Sequence, residues 1–377
     1  MKIENLKAIN KVFKRLNNLR RWTAFITEGK YDEISKQALN CCVCFMLATE
    51  AEKEGVSVKW DRFPKIAIYR AFQKAYVNYD TPEHILKEIC ALGGIPFSKA
   101  FRDVTFTVIA ERTDSDFANW LSEGCGTTEE RIYKAATKIA TFLELKEIQK
   151  NVNGSYAIKY EEIVKSMIKY EDIPGFNSFS DTDSKYFKVF EEISKLRNQN
   201  RWAAYSYIVD CSVLGHLFDT GVFAYLMALE KGKTEELATK CFFMGIFHDV
   251  PEAFTKDIPS PVKDKIPGFR SLTEKYEMQK MEEFFYPCVS EKVQEAVKEL
   301  MSMHDSDNSI RALIKGADYM SAVSEIWRQL KAGTRDEAFI SSIDVHTEKF
   351  NTGIAEFTPS TKELYDWMVK YANELNL

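Results

Sequence analysis

The sequence predicts an all-α protein built as two tandem helical bundles, and three observations carry that prediction. Apolar residues recur at three-to-four spacing along most of the chain, alternating β patterns are scarce, and the two halves share segments in the same order. With 377 residues the chain is long enough for two domains of ordinary size. Its 45% hydrophobic, 28% charged and 13% aromatic residues are the composition of a folded globular protein. A net charge of −5 leaves no global basic field, so no nucleic-acid partner is expected.

Taken in order, MKIENLKAINKVFKRLNNLRRW lacks the apolar centre of a signal peptide and reads as an amphipathic helix. QALNCCVCFMLATEAEKEG (37–55), EERIYKAATKIATFLELKEIQK (129–150), HLFDTGVFAYLMALEKG (216–232), SEKVQEAVKELMSM (290–303) and IRALIKGADYMSAVSEIWRQLKAG (310–333) all carry helical periodicity. Terminal glycines after Lys or Glu supply stop signals. VTFTVIA (104–110) is the best strand candidate, or else a turn of buried helix. No apolar run approaches a membrane span, so no membrane contact and a cytoplasmic location are expected. The eight cysteines, three of them in CCVC at 41–44, are expected to be reduced and buried rather than metal-bound.

The stretch EDIPGFNSFSDTDSKY (171–186) loses periodicity and gains Pro, Gly, Asn and Ser, which marks a linker. It divides the chain into expected domains 1–175 and 185–377. Set against each other, VFKRLNNLRRW (12–22) matches VFEEISKLRNQNRW (189–202), both ending in Arg–Trp. QALNCCVCFMLATE (37–50) then lines up with HLFDTGVFAYLMAL (216–229), RAFQKAYVNYDTPEHI (70–85) with IFHDVPEAFTKDIPSP (246–261), and YKAATKIATFLELKEI (133–148) with IKGADYMSAVSEIWRQ (314–329). Any two helical segments can be slid into agreement; four in one order argue for duplication.

Only five histidines occur, and two fall in the apolar stretch from 216 to 248. His216 opens a helix, His248 and Asp249 close another, and Asp318 sits inside an apolar helix where an ionised carboxylate is costly unless paired or metal-bound. Each has a plainer reading alone: a capping histidine, a solvated helix end, a turn cap at Asp257, a packing pair at Arg201–Trp202. Together, two imidazoles and two carboxylates make a mixed N/O site for one divalent ion, Mn, Fe, Co, Ni, Zn or, less well, Mg.

The order H…HD…D, with HDVPEAFTKDIPSPVK (248–263) following, resembles the HD-domain metal-dependent phosphohydrolases, in particular the bacterial 5′-deoxynucleotidase (YfbR-like) branch. The resemblance covers roughly residues 185–335. It implies His216, His248, Asp249 and Asp318 as metal ligands, Glu252 for proton transfer and Asp257 as a second acid. It also implies Arg201 on the substrate phosphate and Trp202 against the sugar. His304, in an expected polar loop, is the lone histidine between the HD pair and Asp318, so a single metal is expected; His84 and His346 read as surface residues. Two features depart from the family: Gly215 replaces an expected Glu, and the segment before Asp318 lacks the expected acidic–aromatic run.

Carried through the internal alignment, the ligand positions hold Gln37, Ala71, Phe72 and Thr137 in the first half, and Glu252 faces Ala75. Arg21–Trp22 and Asp80 remain, more simply for packing than for a nucleotide. The first half is therefore expected to be a degenerate HD-like domain that stands in for a partner subunit, giving a pseudo-dimer within one chain. The expected activity is removal of the 5′-phosphate from deoxynucleoside monophosphates. The alternatives are an HD-type hydrolase of dNTPs or another phosphoester, and a non-catalytic nucleotide-binding protein.

Overall fold

The computed structural model describes every residue except 80, 150–155, 257, 259 and 375–377. The protein is all-α, as expected: among the described residues there is no β-strand, and two isolated bridges, Arg20–Asp32 and Asn200–Ser212, are the sole extended pairings.

Two helices form the axis of the molecule, Glu33–Lys53 and Val213–Glu230. Each is apolar nearly all round and almost wholly buried, which is how a helix at the centre of a large core reads. They pack on each other. Thr128–Gln149 covers the first, while Glu235–Phe247 and Asn308–Ala332 cover the second. A single apolar core therefore runs through both halves.

Val213–Glu230 corrects one expectation. Its 18 residues average a hydropathy of 1.2, enough by length and composition to cross a membrane, yet 89% of them are buried inside the protein. Burial on every side removes the need for a polar face, so a core helix and a span look alike in sequence.

Both axial helices begin the same way. The Asp32 carboxylate accepts the Ser35 N–H at 2.8 Å, and the Ser212 hydroxyl accepts the Gly215 N–H at 2.9 Å. The chain reaches each cap through an Arg–Trp loop tied by matching backbone bonds. The Arg21 N–H donates to Tyr31 O at 2.8 Å, and the Arg201 N–H to Cys211 O at 2.9 Å.

Glycines set how closely the helices approach. A Cβ on Gly245 would lie 2.7 Å from the Gly221 Cα, so Val213–Glu230 and Glu235–Phe247 cross backbone against backbone. Between the halves, a Cβ on Gly215 would meet Ile34 Cγ2 at 2.9 Å. The expected Glu is absent where the first half presses closest, because no side chain fits.

Other elements differ from expectation. VTFTVIA lies within the helix Phe97–Arg112, with only Thr105 and Ile109 of that helix buried. The 171–186 stretch is a packed connection, not a loose linker: Ile173, Phe176 and Phe179 are buried, and the Tyr186 hydroxyl donates to Glu50 at 2.5 Å. Apolar residues three apart anchor it although its polar letters dominate. His304 falls inside the helix Glu291–Ser306, not a loop. Cys41, Cys42 and Cys44 are buried free thiols, their ionisation suppressed by burial, as expected.

Gly245→Ala forces a side chain into backbone, which cannot rotate away. It should cost about 1–3 kcal/mol, the range for overpacked cores, read as a lowered urea midpoint at unchanged m-value.

Candidate metal centre

The crossing at Gly221 and Gly245 brings His216, early in one helix, against His248 at the end of the other. Their rings lie 5.5 Å apart. One ligand atom from each of His216, His248 and Asp249 falls within a 4.8 Å cluster. Asp318 reaches it from the Asn308–Ala332 helix, its Oδ1 3.1 Å from His216 Nε2. Of the four expected ligands, all are thus brought together.

The histidines are oriented from behind. His248 Nδ1 lies 2.8 Å from the carbonyl of Gly245, a pure acceptor, so Nδ1 carries the proton and donates it. The lone pair of Nε2 then faces the cluster, where that buried atom has no hydrogen-bond partner and sits 3.1 Å from Asp249 Oδ2. His216 Nδ1 meets the Ser321 hydroxyl at 2.8 Å and Glu325 Oε1 at 3.5 Å, which leaves its Nε2 for the cluster. This backing by carbonyl, hydroxyl and carboxylate is the usual support of metal-ligating imidazoles.

Both carboxylates are held ionised. Burial alone would push Asp249 and Asp318 up; the His248 ring for the first, and Lys315 and His216 for the second, hold both well below the ordinary range. Burial and Arg201 oppose protonation of His216, but Asp318 and Glu325 outweigh them and raise it. Two imidazole nitrogens and two carboxylates, three of the four sharing one cluster and Asp318 meeting it at His216, are the donor set of a mixed N/O site for a divalent cation.

Glu325 was not singled out from the sequence. Its Oε2 accepts from Arg201 Nε at 3.1 Å and from the Trp202 indole at 2.8 Å, while Oε1 faces His216. Burial opposes its charge, but Arg201 and His216 bring it from an ordinary 4.5 down to about 2. Behind it, Arg328 and Asp219 form a buried pair at 2.8 Å. The signal for Glu325 was present: an acid in an apolar helix, two turns beyond Asp318 on the same face.

Trp202 is a buried wall. Its indole donates to Glu325 and its ring packs on Tyr205 and Phe339. Arg201 is 18% exposed and remains at the rim. Glu252, one turn past His248, is buried with Lys263 Nζ 3.7 Å away. Asp257 and Asp80 lie outside the described residues. His346 is not a surface residue: it is half-buried against Tyr319, where burial lowers it and the field of Asp318 opposes that.

The first half contains the same clasp. Glu144 Oε2 accepts from Arg21 Nε at 3.2 Å and from the Trp22 indole at 2.8 Å. With the caps at Asp32 and Ser212 as reference, His216 faces Lys36. The expected counterpart, Gln37, is one residue off, because apolar letters were matched where the cap sets the helix register.

An all-α fold with a mixed His/Asp cluster between crossing helices defines a class, helical proteins with a candidate mononuclear metal centre. Within it, residues 188–358 match the model of the 5′-deoxynucleotidase YfbR-like family, the family named from the motif. The 5′-deoxynucleotidase YfbR of Escherichia coli O1:K1 is 26% identical over 158 residues, 40% of this chain and 77% of that protein. A 5′-deoxynucleotidase of Photobacterium profundum is 24% identical over 152 residues, 40% of this chain and 78% of its own. The YfbR of Shigella boydii serotype 18 is 25% identical over 158 residues, 40% of this chain and 77% of its own. No solved structure matches the chain significantly.

Because the folded Glu325 carboxyl lies below its ordinary value, its contribution is full above pH 4.5 and is lost as pH falls toward 2. Wild type should lose about 3 kcal/mol more than Glu325→Gln across that window in acid denaturation. Ser321→Ala should weaken metal binding about 10–100-fold in a competition titration, with the fold intact by circular dichroism.

Proposed function

We propose that the second half is a metal-dependent phosphohydrolase that removes the 5′-phosphate of deoxynucleoside monophosphates. The observation that supports it most is the convergence of His216, His248, Asp249 and Asp318 beside Arg201, inside a segment matching a 5′-deoxynucleotidase family. His216, His248, Asp249 and Asp318 would hold one divalent ion, whether Mn, Co, Zn, Fe, Ni or Mg. When bound, the ion supplies a water acidified toward neutrality and a Lewis acid for the phosphoryl oxygens.

The chain does the rest. Arg201, held by Glu325 with one side at the rim, offers forked donors to a phosphate. Lys315, a third exposed and 3.4 Å from Asp318, adds a second cation at the mouth. Glu252 takes the proton of the attacking water or returns it to the leaving 5′-oxygen, with Lys263 Nζ 3.7 Å away. Asp257, by its place in the HDVPEAFTKDIPSPVK motif, is proposed as a second acid. Trp202 backs Arg201 and excludes water.

We further propose that the halves are repeats, residues 1–175 a degenerate HD-like domain and 185–377 the catalytic one, forming an intrachain pseudo-dimer. The paired Arg–Trp–Glu clasps support this reading.

A phosphate-release screen of nucleoside mono-, di- and triphosphates with Mn, Co and Mg tests the activity. Free phosphate should come from dAMP or dCMP, and His248→Ala should abolish it; triphosphate or pyrophosphate from dNTPs points instead to the dNTP hydrolase. Expression of residues 180–377 alone should give unstable protein, because Ile34 and the rest of Glu33–Lys53 form one wall of its core. A stable, fully active fragment removes the case for a pseudo-dimer.

A further inference from the structure

The first half has lost every ligand, yet at the position of His216 it places a lysine that the core does not need. Lys36 is 5% exposed. Among the described residues its ammonium makes no hydrogen bond and no ion pair within 4.0 Å. A lysine whose stem is buried and whose ammonium has no partner is costly to hold in a fold.

Its surroundings repeat those of His216. Arg21 and Glu144 face Lys36 as Arg201 and Glu325 face His216. Among the described residues, Glu33 and Lys74 also act on its charge. The two acids are already engaged: Glu33 takes Arg21 at 2.7 Å and the Gln37 amide at 2.7 Å, and Glu144 takes Arg21 and the Trp22 indole. Arg21 is committed to both. Lys74, half-exposed, makes only a 3.4 Å bond to Tyr79 O. Two cations are therefore left over where the second half gathers its metal. Burial and the neighbouring Arg21 charge push the Lys36 amine from 10.5 down to about 7, the response of a cation held without its counterion.

We propose that the first half holds a metal-free anion site in which Lys36 and Lys74 bind a phosphate group, either the phosphate of a nucleoside monophosphate or the free ion. With an anion bound beside it, the lysine supplies what the second half would take from a metal, positive charge at the phosphate. It supplies neither an activated water nor a Lewis acid, so the site binds and does not hydrolyse. The nucleotide form of the ligand rests on the activity proposed for the second half; the anion site does not.

Calorimetry on the full chain in chelator, with His248→Ala disabling the second-half centre, tests the site with two probes, inorganic phosphate and dAMP. At least one should bind, and Lys36→Met in the same background should weaken it tenfold or more. Phosphate alone identifies the free ion as ligand, and dAMP alone identifies the nucleotide. Lys36→Met should also raise the melting temperature of the ligand-free protein, since it removes a buried charge. If that variant fails to fold, Lys36→Gln serves. Binding of neither probe, or binding unchanged by both variants, overturns the proposal. Phosphate release by otherwise native Lys36→Met with Mn should equal wild type. A wild type that hydrolyses no nucleotide defeats the nucleotidase reading while the calorimetric result stands by itself.

Discussion

The structure turns on one carboxylate. Glu325 gathers the Arg201 guanidinium and the Trp202 indole on one oxygen and faces the His216 ring with the other. It thereby fixes the loop that carries Arg201, the histidine early in the axial helix, and the distance between them. A buried anion with so many cationic neighbours is stable only while they stay in place, and removing one partner leaves a charge uncompensated in the core. The clasp is thus a constraint on geometry more than a source of stability. It recurs at Glu144 with Arg21 and Trp22, so the same interaction holds the corresponding loop in the first half.

Much of the centre was legible because histidine is rare here and costly carboxylates stand out in apolar helices. His216, His248, Asp249 and Asp318 were legible for that reason. Glu325 carried the same signal and was passed over because no motif names it. The helix starting at Val213 was misjudged for the opposite reason, that burial on all sides erases the pattern by which a span and a core helix differ. VTFTVIA reads as a strand or as a turn of buried helix, and it lies in a helix of which only Thr105 and Ile109 are buried. Lys36 was missed by one residue. Helix register is set by the capping bond, which a comparison of side-chain letters does not see.

The glycines state the architecture's requirement most directly. Gly221 and Gly245 let two ligand helices touch backbone to backbone, and that contact places two imidazoles where one ion can reach both. The departure from the family at Gly215 belongs to the same logic, since Ile34 occupies the space a side chain would take. Site geometry and the union of the halves are solved by one packing arrangement.

That arrangement has a consequence for how the chain tolerates change. Because Glu33–Lys53 lies in the common core and packs on Val213–Glu230, its residues bear on the position of the helix that carries His216. Substitutions there that shift Ile34 or its neighbours displace His216 by displacing its helix. The face is held at unit stoichiometry by the covalent chain, so no dilution separates it from the centre. The two halves are therefore bound to change together wherever their helices share the core.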